Sequence, residues 1–248
     1  MLVLDMSSVF GGHAVMSGGD VTMIDTPLQR AHNIVDTPDI AYEDFMAWGG
    51  DNNKAWVRYY VDHSKVEIYD WLTAMGVQFD GVGRYPGSRV PRAHSTHGVG
   101  LGLVAPIYRA CLANANVSFR WNTQVTELIV ESGRVVGVRT KSTRSGAIDA
   151  VRADAVILAT GGFQSNLALV RQHWPAGVPM PARLLAGSGI NSMGSGLSLA
   201  SGAGAALSNL DHQWNYERGL PDPRYPGSER GLTRRLGIHD RALECCGG

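Results

Sequence analysis

The spacing of apolar residues divides the first half of the chain into a strand and a set of helices. Residues 2–4 form a short apolar run that predicts a strand. Apolar residues then recur at helical intervals over 39–48 and 55–75, and Gly76 is placed to end the second helix. The pattern predicts a strand, a glycine-rich loop and a helical segment at about 36–76.

The second half of the chain alternates more like a sheet. Residues 102–115 have helical spacing, and 117–140 alternate between apolar and polar side chains, with turns at 131–133 and 145–146. The stretch ADAVILATGG (153–162) predicts a buried strand that runs into a glycine turn; the alternative is a core strand followed by an ordinary loop. A loop at 191–196 then leads into a helix of small residues. This order of elements predicts an α/β fold.

Composition narrows the classes of partner. The 248 residues are 44% hydrophobic, enough to bury one good core, and the formal net charge is +0. Charge alone therefore recruits neither nucleic acid nor an anionic membrane surface. No apolar run approaches the roughly 18 residues of a membrane span, and the N-terminus lacks a basic region followed by an apolar stretch. The three cysteines lack zinc-ligand spacing, so we expect no metal site and a reducing, cytoplasmic location.

One domain is expected over residues 1–230. After about Gly231 the apolar periodicity is lost, and the chain ends in Cys-Cys-Gly-Gly. We therefore expect 231–248 to be an irregular tail that is not part of the fold.

The first candidate binding residues follow the first strand. Asp5 stands where an acid in doubly wound dinucleotide sites accepts hydrogen bonds from ribose hydroxyls, although a turn-capping aspartate is the alternative. The loop GGHAVMSGG (11–19) lets the backbone approach a flat ring or a phosphate, unless it is only a surface loop. His13 in this loop is either a flavin attachment point or an ordinary hydrogen-bonded histidine.

Three later stretches carry further glycines. RAHSTHGVGLG (92–102) precedes a helix, whose free amides suit an anion. His94 and His97 lie three residues apart, but the stretch is broken by glycines and offers no third ligand, which argues against a metal. DAVILATGGF (154–163) and GINSMGSGLSLASGAGAAL (189–207) provide the kind of turns at which open α/β sheets bind ligands. A tightly packed helix of small residues is the alternative for the last stretch.

In this order, the stretches resemble the FAD-dependent flavoproteins of the fumarate reductase, succinate dehydrogenase and 3-ketosteroid dehydrogenase family. The resemblance covers about residues 1–230 and rests on LVLD, GGHAVMSGG, DTPDIAYEDFMAW, HSKVEIYDWLTAMGVQF, RAHSTHGVGLG, NTQVTELIVESGRVVGV, ADAVILATGGF and MGSGLSLASGAGAAL. It implies an α/β fold: a partial Rossmann-like FAD-binding domain with a β-meander or hairpin and a helical insertion.

The resemblance also implies which residues bind FAD. Asp5 would hold the adenosine ribose, and Val125 would lie beside the adenine. The residues that would line the diphosphate, the flavin edge and the path of the dinucleotide are Gly11, Gly12, Ser17, Gly18, Gly19, Ala159, Thr160, Gly161, Gly162, Gly194, Ser195 and Gly196. The family usually has glutamate where Asp5 stands and often has aspartate where Ser195 stands.

The sequence departs from the family pattern at both ends. No strand–GxGxxG–helix unit precedes Asp5, so the expected domain lacks the first βα unit. The family's capping domain and its catalytic arginine would lie beyond the residues present. Catalytic residues are therefore left unassigned.

The resemblance implies an FAD-dependent oxidoreductase. Such an enzyme moves a hydride to or from a C–C bond, here of a small organic acid or a steroid-like substrate. Two alternatives stay open: an inactive remnant of a truncated or frameshifted gene, and a module whose sheet is completed by a second chain.

Overall fold

The computed structural model describes residues 1–187, 189–213, 215 and 220–231. The chain forms two compact units: unit 1 comprises Met1–His13 and Ser118–Gly248, and unit 2 comprises Ala14–Val117. Apart from Gly231, the expected tail at 231–248 lies outside the described residues. The expected single domain over 1–230 stays a prediction.

The described residues form eight strands and seven α-helices. The strands are β1 (Leu2–Leu4), β2 (Asp20–Thr22), β3 (Phe79–Gly83), β4 (Ala93–Thr96), β5 (Ser118–Arg120), β6 (Thr123–Glu131), β7 (Arg134–Ser142) and β8 (Ile148–Arg152). The α-helices are α1 (Pro27–Ala31), α2 (Pro38–Trp48), α3 (Lys54–Ser64), α4 (Trp71–Ala74), α5 (Val99–Ala113), α6 (Leu167–Gln172) and α7 (Ser195–Gly202). A 3₁₀ turn spans Ala14–Met16, and a π-helical turn spans Lys65–Asp70.

Unit 1 contains a parallel pair of strands and an antiparallel meander. β1 lies parallel to β5, with Leu2 opposite Ser118. β6, β7 and β8 pair antiparallel in sequence order, and α7 packs against β6. Ser132 and Gly133 join β6 to β7 with left-handed backbones, at φ 50° and 76°. The hairpin and the meander expected from the alternating pattern are therefore confirmed.

The stretch 153–162 differs from its prediction. It contains no strand, and its backbone makes no ladder with another described strand. Val156 is half-buried, whereas the other apolar side chains of the stretch are exposed, and Ile157 is 84% exposed. An apolar run favours a strand only where a neighbouring strand supplies hydrogen-bond partners, and no described strand pairs with this stretch.

Unit 2 combines a small antiparallel sheet with helices. Its strands lie in the order β2-β4-β3. Thr37 caps α2 by accepting a hydrogen bond from the Ile40 N–H (3.2 Å), and Pro38 occupies the first helical turn. The buried cluster around which α2 and α3 pack consists of Ile24, Ala41 and Val61, with Tyr42, Phe45, Val57 and Tyr60 against it.

The long helical stretch predicted at 55–75 is one continuous helix with a change of type. α3 runs into the π-helical turn, and α4 follows directly. Leu72 is 3% exposed on the buried side, whereas Trp56 and Trp71 are 69% and 49% exposed. Helices α2, α3 and α4 and the π-helical turn lie within the expected segment at about 36–76, and the π-helical turn was not predicted.

The described chain is a mixed α/β structure, as the order of elements predicts. Among the described residues, none of the helices combines the length and the apolar character that crossing a bilayer requires.

Candidate functional site

The turn after β1 is held by hydrogen bonds around Asp5. One carboxylate oxygen of Asp5, Oδ1, accepts from the Ser7 N–H (2.8 Å), as the turn-capping alternative requires. The backbone carbonyl of Asp5 accepts from the Thr123 N–H (2.8 Å), and the carbonyl of Ser7 accepts from the Asn122 N–H (2.9 Å). The second carboxylate oxygen, Oδ2, has no partner among the described residues. Asp5 thus has a fixed orientation and one oxygen left to accept a hydrogen bond.

A side-chain bond links this turn to the loop before α7. Asn191 Nδ2 donates to Ser7 Oγ over 2.9 Å, across 184 positions of sequence. Farther along the same loop, the Gly194 N–H donates to the carbonyl of Gly162 (3.1 Å). Three predicted binding segments of unit 1, the turn after β1, the ATGG turn and the loop before α7, are therefore brought together.

The start of α7 packs closely on the ATGG turn. A Cβ added at Gly196 would lie 1.8 Å from Thr160 Oγ1, so only glycine fits between the helix and the turn. Gly194 caps the helix with a left-handed backbone at φ 84°, and no side chain caps it. The amides of the first helical turn, including that of Ser195, lack an intrahelical acceptor and suit an electron-rich ligand atom.

Two predicted glycines leave their backbone open. Gly12 has φ +51°, and a Cβ added there would meet no atom within 4 Å; for Gly161 (φ +72°) the nearest atom would be Ser192 Oγ at 4.0 Å. Gly11 also has a left-handed backbone, at φ 106°. His13 Nδ1 accepts from the Gly189 N–H (3.1 Å), which is the ordinary hydrogen-bonded alternative for this histidine.

Two further predicted residues of unit 1 lie beside these segments. Val125 is half-buried in β6 and pairs with Thr140 of β7. Ala159 is exposed at the end of the apolar stretch, directly before Thr160. Neither position conflicts with the expected contacts to a dinucleotide.

In unit 2, Ser17, Gly18 and Gly19 pack against the start of α5. The Gly100 N–H donates to the carbonyl of Ser17 (3.0 Å). A Cβ added at Gly19, whose φ is +73°, would lie 2.5 Å from the carbonyl carbon of Val99. The loop and the helix start thus meet backbone to backbone, which accounts for the glycine at position 19.

The two histidines considered as metal ligands have separate roles. His94 is fully buried, with Nε2 2.7 Å from Thr26 Oγ1 and Nδ1 2.9 Å from the carbonyl of Arg92. Burial lowers the pKa of His94. His97 is exposed, and its Nδ1 lies 3.0 Å from Asp80 Oδ2. No cluster of three metal-binding side chains occurs among the residues the structure describes.

A buried ionic network fixes the position of α2 against β4. Arg92, at 1% exposure, pairs with Asp36 (2.9 Å) and with Asp44 (2.6 Å). Burial opposes ionisation of Asp44, but hydrogen bonds from the Arg89 N–H and from the Arg92 and Arg89 guanidinium groups outweigh it. The pKa of Asp44 therefore lies below its ordinary value. The network therefore joins α2 and the residue before its N-cap to the start of β4 within unit 2.

Sequence reasoning missed the residues that join the unit 1 segments. Asn122 and Asn191 lie inside stretches noted in the sequence, but no role was predicted for them or for Ser7, because their partners are far along the chain. Asn122 has a left-handed backbone at φ 53°, and its Oδ1 accepts from Ser8 Oγ (2.6 Å). The one available signal is residue type, because asparagine tolerates this backbone better than most residues.

The three segments of unit 1 offer the kinds of group that could contact a dinucleotide. Asp5 offers a free carboxylate oxygen for a hydroxyl donor, and Gly12 and Gly161 offer open backbone. The uncapped start of α7 offers amide donors for a phosphate or a carbonyl oxygen. These are the groups that an adenine dinucleotide requires.

Comparison with known proteins gives the family. The FAD binding domain family matches residues 1–228. A KsdD-like steroid dehydrogenase of Mycolicibacterium smegmatis is 32% identical over 91% of this chain and 48% of its own length. A fumarate reductase (cytochrome) of Shewanella frigidimarina is 34% identical over 86% of this chain and 37% of its own length.

Solved structures agree with the family match. The open conformation of a flavocytochrome c3 fumarate reductase superposes with a TM-score of 0.74 at 27% identity, over 83% of this chain and 36% of that one. The chain spans about half the length, or less, of the curated relatives it matches. The resemblance to flavoproteins and the prediction of FAD as the cofactor are confirmed. The chain belongs to the FAD binding domain family.

Proposed function

We propose that this chain binds FAD through the three segments that converge in unit 1. The observation that carries the proposal is the pair of bonds from Asn191 to Ser7 and from Gly194 to Gly162, which fix these segments together. Asp5 would accept a ribose hydroxyl, and the amides at the start of α7 would face an electron-rich oxygen. FAD, when bound, supplies the hydride acceptor or donor.

The remaining predicted residues have supporting roles in this proposal. Gly11, Gly12 and Gly161 leave room for the dinucleotide, and Gly162 and Thr160 hold the turn. Val125 and Ala159 would border the adenine and the passing chain, and Gly196 would let the helix start come close. Ser17, Gly18 and Gly19 belong to unit 2, and we propose that they line the flavin edge as the family resemblance implies.

The proposed reaction class follows the relatives. The named relatives are a steroid dehydrogenase and a fumarate reductase, so we propose flavin-mediated hydride transfer to or from a C–C bond of a steroid-like substrate or a small organic acid. Because the chain spans half or less of those proteins, catalytic residues are not assigned to it.

The finer fold proposal concerns the parallel strands of unit 1. We propose a partial Rossmann-like domain in which β1 is the second strand, with no first βα unit among the residues that the structure describes. The unpaired apolar stretch at 153–162 supports this, because its predicted strand has no neighbour to pair with among the described strands. It also favours the second candidate function, a module whose sheet a second chain completes.

A flavin titration tests FAD binding. We expect purified chain to quench the fluorescence of added FAD in a saturable manner and to shift its absorbance bands. Protein that takes up no added FAD would refute the proposed function.

The same titration with FMN in place of FAD tests the adenosine contacts. FMN lacks the ribose that Asp5 would hold, so we expect FMN to bind more weakly than FAD.

A further inference from the structure

Ser7 takes part in three hydrogen bonds in the turn after β1. Its backbone N–H donates to Asp5 Oδ1 (2.8 Å), and its carbonyl accepts from the Asn122 N–H (2.9 Å). Its hydroxyl oxygen accepts from Asn191 Nδ2 (2.9 Å) in a partly buried bond. Of these three bonds, the last is the one that reaches the loop before α7. The carboxylate of Asp5 is therefore joined to that loop through Ser7.

The loop that carries Asn191 is itself held in place. The Ser165 N–H donates to the carbonyl of Ser192 (2.9 Å), and Ser165 Oγ donates to the carbonyl of Gly189 (2.9 Å). These two carbonyls lie on either side of Asn191 in sequence. Because the loop is fixed on both sides, the amide of Asn191 defines where the Ser7 hydroxyl lies.

A fixed spacing matters to a ligand that contacts both ends of this arrangement. In the proposed site, Asp5 would accept a ribose hydroxyl, and the amides at the start of α7 would face another oxygen of the same FAD molecule. Such a ligand gains affinity when the protein already holds the two groups at the required spacing, because less motion is lost on binding. A ligand that contacts one group alone gains nothing from the spacing.

We propose that Asn191 is a positioning residue for FAD. Through Ser7 it holds the Asp5 carboxylate at a fixed distance from the start of α7, and it thereby favours the dinucleotide FAD over the mononucleotide FMN. FMN lacks the adenosine that Asp5 would hold, so it cannot use this spacing. The inference rests on the proposed FAD site and names a residue that sets the selectivity of that site through Asp5.

Fluorescence titration with FAD and with FMN tests the proposal in three variants. Ser7→Ala removes the hydroxyl but keeps the backbone bonds to Asp5 and Asn122, and Asn191→Ala removes the donor of the same bond. Each change removes one hydrogen bond, so we expect it to raise the Kd for FAD roughly three- to tenfold and the Kd for FMN less than about twofold. The double variant should bind FAD no more weakly than either single variant, because both changes remove one and the same bond.

Ser201→Ala is the matched control. Ser201 is exposed near the C-terminal end of α7, and its replacement should change neither Kd. Far-ultraviolet circular dichroism checks that each variant is folded. If one single variant is not folded, the other is tested against the same expectation.

The results separate this inference from the proposed function. A wild-type chain that takes up no FAD refutes the proposed function and this inference with it. If the wild-type chain binds FAD and the variants bind it equally well, only the role of Asn191 is refuted. Equal losses for FAD and FMN, or additive losses in the double variant, also contradict that role. Where FMN binds too weakly to measure, the comparison of single and double variants with FAD decides.

Discussion

Arg92 donates two parallel hydrogen bonds to Asp36, from Nε to Oδ2 (3.0 Å) and from Nη2 to Oδ1 (2.9 Å). The side chains of the two residues are 1% and 0% exposed. A planar guanidinium matches a carboxylate in this two-bond geometry, whereas a lysine ammonium does not. The pair therefore depends on arginine and not on positive charge alone.

Replacing Arg92 should destabilise unit 2 severely. Arg92→Ala leaves the buried carboxylate of Asp36 without a counter-charge and leaves Asp44 with Arg89 alone, which costs about 3–5 kcal/mol. Denaturant unfolding followed by circular dichroism measures the loss. Arg30→Ala is the matched control: it breaks an ion pair with Asp25 whose side chains are 60% and 39% exposed, and about 0–1 kcal/mol is expected. Equal effects of the two changes would contradict the structural role of the buried network.

The buried His94 should make stability depend on pH. Its pKa is lowered by burial from the ordinary 6.5, so the unfolded chain takes up a proton at a higher pH than the folded chain does. The contribution of neutral His94 is therefore complete above pH 6.5 and is lost as the pH falls below it. The slope approaches about 1.4 kcal/mol per pH unit for one proton.

Comparison of variants isolates this effect from the other histidines. His94→Gln should remove the corresponding part of the pH dependence measured by denaturant unfolding between pH 7 and the acid limit of folding, a range of roughly two to three units. His97→Gln should leave it in place, because the His97 side chain is 69% exposed. If both variants keep the wild-type profile, His94 is not the titrating group.

Gly19 should tolerate no side chain. Gly19→Ala combines a left-handed backbone, which costs about 1–2 kcal/mol, with a Cβ that overlaps the Val99 carbonyl. Gly50→Ala serves as control, since Gly50 also has a left-handed backbone (φ +65°) but no atom within 4 Å. We expect the larger loss of unfolding free energy at Gly19; a larger loss at Gly50 would show that the close approach to Val99 is absent in solution.

Asp5 should contribute its charge to FAD binding. Asp5→Asn keeps the acceptor for the Ser7 N–H but replaces a charge-assisted bond to the ribose by a neutral one, a difference of about 1.4 kcal/mol or tenfold in Kd. Fluorescence titration with FAD measures this change. Asp39→Asn removes a charge from a side chain that is 87% exposed on α2, and it should leave the Kd unchanged. An unchanged Kd in Asp5→Asn would place the ribose elsewhere.

Local sequence patterns predict the individual helices and strands of this fold better than they predict which elements pair with one another. The helices at 38–48 and 54–74 and the β6–β7 hairpin follow from periodicity and turn residues within a few positions. The strand predicted at 153–162 does not form, because strand pairing depends on residues distant in sequence. An apolar run indicates only that a strand is favourable where a partner strand is present.

In the candidate site too, features set by local sequence could be predicted and contacts between distant residues could not. Glycines at turns are visible in the sequence because their backbone requirement is local. The bond between Asn191 and Ser7 spans 184 positions, and the pair of Arg92 with Asp36 spans 56. No spacing rule reaches such distances, so the residues that hold the segments together could be found only in three dimensions.

The π-helical turn at Lys65–Asp70 also determines which chain lengths the helix around it can accept. Fifteen residues after Trp56, an uninterrupted α-helix would turn Trp71 by about 60° toward the buried side. The wider π turn accommodates about one extra residue. The residues after it are therefore rotated back by about one residue's turn, and Trp71 stays exposed. A chain one residue shorter here would form a plain α-helix with the same two faces. Loss of a single residue at this point would therefore leave the core of unit 2 packed as it is.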